Sequence, residues 1–208
     1  MGIFSHTPKV GGKIGHFGLG DWWLATFTPA ERDYIEEKHS PMGGLPDVTL
    51  TQGNIGGTSQ TAAGLLVGLS SWFVGPGDRH LALRILEKAE AEAEAGSDIL
   101  DRYFVYSQMV KVYYAERETR PGAFEAAITA CEKQIAVGPQ AFAAFRSKYG
   151  EAPPSMLGFT QLAIIREKQG DYAEALRVCH EAERQGWRDG KADWSKRIAR
   201  IEKRAAKA

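Results

Sequence analysis

The chain has 208 residues, of which 43% are hydrophobic and 25% are charged, which fits one globular domain or one helical array with an extension. It carries 26 basic and 26 acidic side chains, and this balance argues against a nucleic-acid-binding protein, which usually presents a strong patch of one sign. The most apolar run, residues 61–74, is interrupted by glycine and serine and is shorter than the roughly 20 residues of a membrane span, so we expect no membrane segment.

The two cysteines and the start of the chain indicate the same compartment. Cys131 and Cys179 each fall inside a predicted helix, and no Cys-x-x-Cys or Cys/His zinc spacing is present, which favours small core residues in a reducing environment. The first residues also lack the charged, apolar and small-residue regions of a secretory leader. We therefore expect a cytoplasmic protein.

Residues 1–57 predict a glycine-rich arm and a short helical extension. Glycine is costly to hold in regular structure, so the run Gly11-Gly12-Lys13-Ile14-Gly15 indicates a flexible or loosely packed arm over residues 1–20. Residues 41–57 are again rich in glycine, with two prolines, and are typical of a long loop. The helical extension is expected between these two segments.

Two short helices are predicted in the extension. Asp21 can cap a helix that carries Trp22 and Trp23, and Thr28-Pro-Ala-Glu31 matches a capping box with proline at the first helical position. Adjacent tryptophans on one helix cannot both face inward. We therefore expect one of them in the core and the other to anchor a partner or a second copy of the chain.

Residues 58–208 are predicted to be helical throughout, because apolar residues recur there at a period of three to four. The predicted helices are 59–74, 79–95, 98–115, one between Arg120-Pro-Gly and Gly138-Pro139, one around Phe142 and Phe145 within 140–154, a pair within 159–187, and a final helix capped by Asp193.

The pair within residues 159–187 carries the most specific pattern. Its helices are joined by Gly170-Asp171-Tyr172, and small residues lie where the helices would cross, which lets their backbones approach closely. The segment resembles a tetratricopeptide repeat. Its signature positions are Phe159, Leu162, Ala163, Gly170, Tyr172, Ala175, Leu176, Cys179 and Ala182, and Leu69, Ser70, Phe73, Gly77, Ala82, Leu83, Leu86 and Ala89 occupy the same positions in an earlier pair.

The resemblance covers residues 59–187 and implies the fold. Aligning Ala82, Ala127 and Ala175 gives repeat spacings of 45 and 48 residues, longer than the roughly 34 of the family. We expect an all-α protein in which three antiparallel helical hairpins form an α-solenoid, with an N-terminal helical extension in 1–57 and a C-terminal capping helix within 58–208.

In this family the first helix of each hairpin lines the concave face. Carried over, the resemblance implies a protein or peptide partner bound there by Val67 and Ser71, by Phe104, Ser107, Lys111 and Tyr114, and by Thr160, Ile164, Glu167 and Lys168. Lysines beside aromatic and apolar side chains suit an extended peptide with a carboxylate or acidic residues. Trp22 and Trp23 are added as partner-binding candidates of the extension.

Catalytic and metal-binding patterns are missing from the sequence. The five histidines share no helical face, whereas a metal site needs three or four converging ligands. Gly11-Gly12-Lys13 is followed by isoleucine and not by the serine or threonine of a phosphate-binding loop. We expect a non-catalytic scaffold with no metal and no cofactor.

Two other functions stay open at this point. The glycine-rich arm and Trp22-Trp23 could close over a small ligand against the helical array, which would make the chain a sensor or an enzyme subunit. Residues 191–208 contain 7 basic and 2 acidic side chains and could contact the phosphates of a nucleic acid.

Overall fold

The computed structural model describes residues 10–40, 48–151, 155–190 and 193–208. Within these ranges it contains eleven α-helices and no β-strand, which confirms the all-helical prediction for them. The helices are α1 Gly12–His16, α2 Gly20–Thr26, α3 Pro29–Lys38, α4 Ala62–Ser70, α5 Arg79–Ala95, α6 Ile99–Glu116, α7 Ala123–Ala136, α8 Gly138–Tyr149, α9 Leu157–Lys168, α10 Tyr172–Arg184 and α11 Ser195–Ala205. A 3₁₀ turn, Ser71–Phe73, follows α4.

Several helix ends follow the local signals in the sequence. The capping box forms as predicted, because Thr28 Oγ1 accepts the Glu31 N–H at 3.3 Å and the Glu31 carboxylate accepts the Thr28 N–H at 2.8 Å. Asp98 caps α6 by accepting the N–H of Leu100 at 2.9 Å. The predicted limits of α5, Arg79–Ala95, are also those of the structure.

The helices from α4 onward pack in succession. α4 packs on α5, α5 on α6, α6 on α7, α7 on α9, α9 on α10 and α10 on α11. In addition α6 contacts both α4 and α9, so these three helices lie side by side. α8 stands outside the succession and packs mainly against α6.

Small residues line the helix contacts, as the sequence predicted. The side chains of Ala82, Ala127 and Ala175 are fully buried. Cys131 and Cys179 are buried free thiols in the same core, which confirms their predicted packing role. With so little side chain between them, neighbouring helices approach closely and their apolar faces cover one another.

A buried glutamine joins α6, α7 and α9. Gln134 on α7 donates from Nε2 to the carbonyl of Tyr103 on α6 at 3.1 Å, and its Oε1 accepts the N–H of Gly158 at 2.6 Å. That N–H belongs to the first turn of α9, where no intrahelical acceptor exists. A Cβ on Gly158 would lie only 2.8 Å from the carbonyl oxygen of Cys131, so the close approach of α9 to α7 requires glycine there.

The prediction of a loosely packed arm is wrong for residues 10–20. The free N–H groups at the start of α1 bond to a loop at 49–53: Gly11 N to Thr51 O at 2.9 Å, Gly12 N to Gly53 O at 2.8 Å, and Ile14 N to Leu50 O at 2.8 Å. The glycines let these two backbones touch, and the Ile14 side chain is fully buried. Residues 1–9, also part of the predicted arm, lie outside the described residues.

The extension is fixed to the array through Arg84 on α5. The guanidinium of Arg84 donates to the carbonyl of Thr26 at 3.0 Å and pairs with Glu31, and it lies over the Phe27 ring at 4.8 Å from the ring centroid. The hydrogen bonds from Arg84 and Thr28 lower the pKa of Glu31 to about 2. The ion pair, the helix cap and the contact of the guanidinium with the ring therefore all lie at the junction between the extension and α5.

We expect Gly12→Ala to destabilise the protein by about 3 kcal/mol, because the new Cβ adds a backbone clash to the strain of a left-handed residue. The residue has φ +57 and its Cβ would lie 2.6 Å from Gln52 N and Thr49 O. Gly18→Ala is the matched control, because Gly18 also has a positive φ, +68, but open space around it; it should cost about 1 kcal/mol. Urea unfolding measures both, and equal losses would contradict the clash.

Replacing Gln134 by leucine should cost about 3 kcal/mol, because a buried N–H of α9 and a buried carbonyl of α6 lose their partner together. Gln140→Leu, at an exposed position of α8, serves as control and should change stability by less than about 0.5 kcal/mol. Thermal unfolding followed by circular dichroism makes the comparison. A stable Gln134→Leu variant would show that the amide is dispensable.

Candidate functional site

The predicted side chains of α6 form one exposed helical stripe. Phe104 and Lys111 are exposed, Ser107 between them is half-buried, and Tyr114, one turn after Lys111, is also half-buried. Successive members of the stripe are three or four residues apart, about one helical turn, so they share one face of the helix. Phe104 is 46% exposed although it is a large apolar residue. The stripe is therefore open to a partner over about three turns.

α9 contributes a second stripe next to the first. Thr160 and Ile164 are half-buried and Lys168 is exposed. Lys168 Nζ lies 3.5 Å from the Tyr114 hydroxyl of α6, so the ends of the two stripes meet. We call the surface made of Phe104, Ser107, Lys111, Tyr114, Thr160, Ile164 and Lys168 the α6–α9 face. Seven of the residues proposed from sequence are thus on neighbouring helices with some surface open to solvent.

The residues that the sequence assigned to the first pair add less. Val67 on α4 is half-buried and packs against the core. Ser71 is exposed, but its hydroxyl donates to the carbonyl of Gly68 at 2.6 Å and so satisfies the backbone at the end of α4. The predicted contact residues with the most solvent-exposed surface and without such a role therefore lie on α6 and α9.

α8 adds two aromatic residues that the site prediction missed. The Phe145 ring lies edge-on to Phe104, with centroids 5.8 Å apart, and Tyr149 follows at 6.0 Å from Phe145. A signal for them was present in the sequence: the spacing between the second and third predicted pairs is longer than in the family, and α8 lies within these extra residues. A helix around Phe145 was predicted, but nothing local indicated that it would lie against α6.

Glu167, expected on the concave face, is instead covered by the last helix. Its carboxylate is almost fully buried, and it accepts hydrogen bonds from Arg200 at 2.8 Å and 3.2 Å and pairs with Arg204 at 2.8 Å. Both arginines lie on α11, whose basic residues were considered from the sequence as contacts for nucleic-acid phosphates. These two arginines are used to compensate a buried negative charge.

The charged groups left on the α6–α9 face are positive. Lys111 has no hydrogen-bond or ion-pair partner among the described residues, and Lys168 contacts the neutral hydroxyl of Tyr114. Arg117 lies over the Tyr114 ring at 4.4 Å and pairs with Glu118. Since Glu167 is neutralised by α11, the face offers two lysines to an anionic group.

The two tryptophans of the extension lie apart from this face. Trp23 is only 2% exposed and packs against Phe27, so it has almost no surface for a partner. Trp22 is half-buried and meets the edge of Phe27 with ring centroids 5.5 Å apart. Of the two, only Trp22 keeps an exposed part.

Two cavities bear on the small-ligand alternative. One of about 240 Å³ lies inside the extension, between α2, α3 and Thr51, and not between the extension and the array. A larger, polar cavity of about 550 Å³ lies between α5, the C-terminal end of α6 and the turn that follows α6. The larger cavity is lined by His80, Leu83, Arg84, Glu87, Glu90, Tyr113 and Arg120.

The two buried cysteines are poor nucleophiles. Burial raises the pKa of the Cys131 thiol to about 12 and that of Cys179 to about 11, so both are protonated at neutral pH. The described parts of the chain hold no cluster of three histidine, cysteine or acidic side chains that could bind a metal. No helix among them has the length and apolar character needed to cross a membrane.

Comparisons with known proteins found no match: no protein-family model, no curated protein and no solved structure is significantly similar to this chain.

We expect the double variant Arg200→Ala/Arg204→Ala to lose about 3 kcal/mol of stability, because Glu167 then stays buried without a counter-charge. Adding Glu167→Gln should restore part of this loss, since a neutral amide costs less to bury than a carboxylate. Urea denaturation measures the three proteins. If Glu167→Gln restores nothing, the loss comes from packing of the arginine stems and not from the unpaired charge.

Proposed function

We propose that the protein is a non-catalytic scaffold that binds a protein segment in extended conformation on the α6–α9 face. The observation that carries this proposal is the junction of Tyr114 and Lys168. Side chains that were predicted from the sequence to contact a partner lie on two separate helices. At this junction they adjoin and form one continuous surface that faces solvent.

A tetratricopeptide-like array of three helical hairpins is the arrangement that we propose for residues 59–187. Its support is the order of packing, in which each pair covers the next, and α4, α6 and α9 lie side by side. In such an array the first helices of the pairs form one continuous row, and this row is the surface on which partners are bound. The extra length of the repeats is accommodated by α8 and by the long helices α5 and α6.

The chemistry of the face favours an acidic segment. Lys111 and Lys168 are exposed cations without a carboxylate partner among the described residues, while Ile164 and Phe104 provide apolar contact beside them. Charge pairing sets the orientation and the association rate, and apolar burial contributes most of the affinity. This pattern is typical of a recognition surface.

The alternatives have less support. In α11, Arg197 pairs with Asp189, and Arg200 and Arg204 pair with Glu167, so much of the positive charge available to a nucleic acid is already used. The cavity in the extension, at about 240 Å³, is smaller than the roughly 300 Å³ at which small-molecule sites usually begin. The cavity of about 550 Å³ is large enough, but it is lined by residues of α5, α6 and the following turn and by none of the described residues of the extension.

The test is a selection of binding peptides from a displayed random library against the full chain. We expect the selected peptides to be enriched in acidic residues and to bind the variant Lys111→Glu/Lys168→Glu at least about tenfold more weakly, because attraction becomes repulsion. Binding is measured by fluorescence polarisation of labelled peptides.

The matched control is Lys196→Glu/Lys207→Glu, which makes the same change of net charge at exposed lysines of the C-terminal region. It should leave the affinity unchanged at moderate salt, where distant charges are screened. Failure to select any peptide, or equal weakening by both variants, would exclude the α6–α9 face as the binding site.

A further inference from the structure

α8 lies where it can shape what the α6–α9 face binds. It is part of the length by which the repeat spacing exceeds that of a tetratricopeptide repeat, and it crosses the N-terminal half of α6. The Phe145 ring meets Tyr103 edge-on at 5.0 Å and Phe104 at 5.8 Å. Lys148 is close enough to Asp101 to influence its pKa. This helix therefore forms a wall at one end of the face.

Part of the aromatic surface of this wall is exposed to solvent. Among the large apolar residues, Tyr149 is 60% and Phe104 46% exposed, while Phe145 between them is buried and forms a floor. Exposed aromatic rings grouped around a buried one are typical of a contact site, because covering them gains apolar burial at low entropic cost. The other end of the face carries Lys111 and Lys168.

Among extended conformations, the separation of these two ends favours one for a bound segment. Phe104 and Lys111 are two helical turns apart on one face, roughly 10 Å. A polyproline II segment advances about 9 Å in three residues and returns to the same side. A β-strand returns to the same side after about 7 Å or about 13 Å, and fits less well.

From this geometry we infer that the preferred ligand, on the basis of the proposed function, is a polyproline-II-like peptide segment. It carries a large apolar side chain and an acidic one three positions apart. The apolar side chain packs on Phe104, Phe145 and Tyr149, and the carboxylate pairs with Lys111 and Lys168. α8 thus determines the preference for the apolar side chain of the ligand, and the two lysines determine the preference for its carboxylate.

Labelled synthetic peptides test the inference directly. Each carries one glutamate and one tryptophan at an offset of two, three, four or five positions, in both orders, in a neutral background. We expect the offset of three to bind best in one of the orders, by about tenfold over the others, because only that offset places both side chains at once. Proline between the two residues should strengthen binding further, since it preorganises the segment.

Two variants separate the halves of the site. Phe104→Ala/Tyr149→Ala should weaken the best peptide about tenfold and have no effect on the same peptide with alanine for tryptophan. In the same way, Lys111→Gln should weaken the best peptide but have no effect on the same peptide with alanine for glutamate. Val74→Ala is the control, because Val74 is also exposed, at 44%, but belongs to the segment after α4. Circular dichroism melting of each variant checks that it is folded.

The outcomes distinguish the two proposals. If acidic peptides bind through Lys111 but neither the offset nor the Phe104→Ala/Tyr149→Ala change matters, the inference about α8 is wrong and the proposed function stands. A best offset of two, four or five overturns the polyproline II geometry. If no peptide of the set and none from the library binds, the proposed function itself fails.

Discussion

The buried amide of Gln134 is the interaction on which the arrangement of the helices around the site depends. It lies on α7 and joins α6 to α9, through the carbonyl of Tyr103 and the N–H of Gly158. A buried amide must keep its partners, so it fixes the register of α9 as well as its distance. That register determines where Lys168 meets Tyr114. A shift of α9 by one residue would separate the two halves of the face.

α8 is held by both sides of the array. Phe142 meets the Trp187 ring at 5.2 Å near the end of the last pair, while Phe145 packs on α6. Gly138, at its start, lies so close to Gln185 that a Cβ would be 2.5 Å from the side-chain oxygen. The extra residues are therefore packed against the core at both Phe142 and Phe145, and these contacts hold the aromatic wall against α6.

Much of the fold could be predicted because its signals are local. Helix periodicity and capping residues depend on a few neighbouring positions, so the limits of α5 and the box at Thr28 were found. The arm was mispredicted because the N–H of Gly12 donates to the carbonyl of Gly53, far along the chain. The α6 residues were implied by the resemblance of local segments to a known repeat, whereas the contact of Phe145 with Phe104 joins two distant segments and was not predicted.

The last helix affects the site from a distance, through charge. An uncompensated Glu167 would place a carboxylate next to Lys168 on α9 and weaken the attraction for any acidic segment. Arg200 and Arg204 bury that carboxylate and add one net positive charge. Three of the seven basic side chains in residues 191–208 thus form ion pairs with other described residues of the protein. Closing the array and keeping the α6–α9 face positive are achieved by the same two side chains.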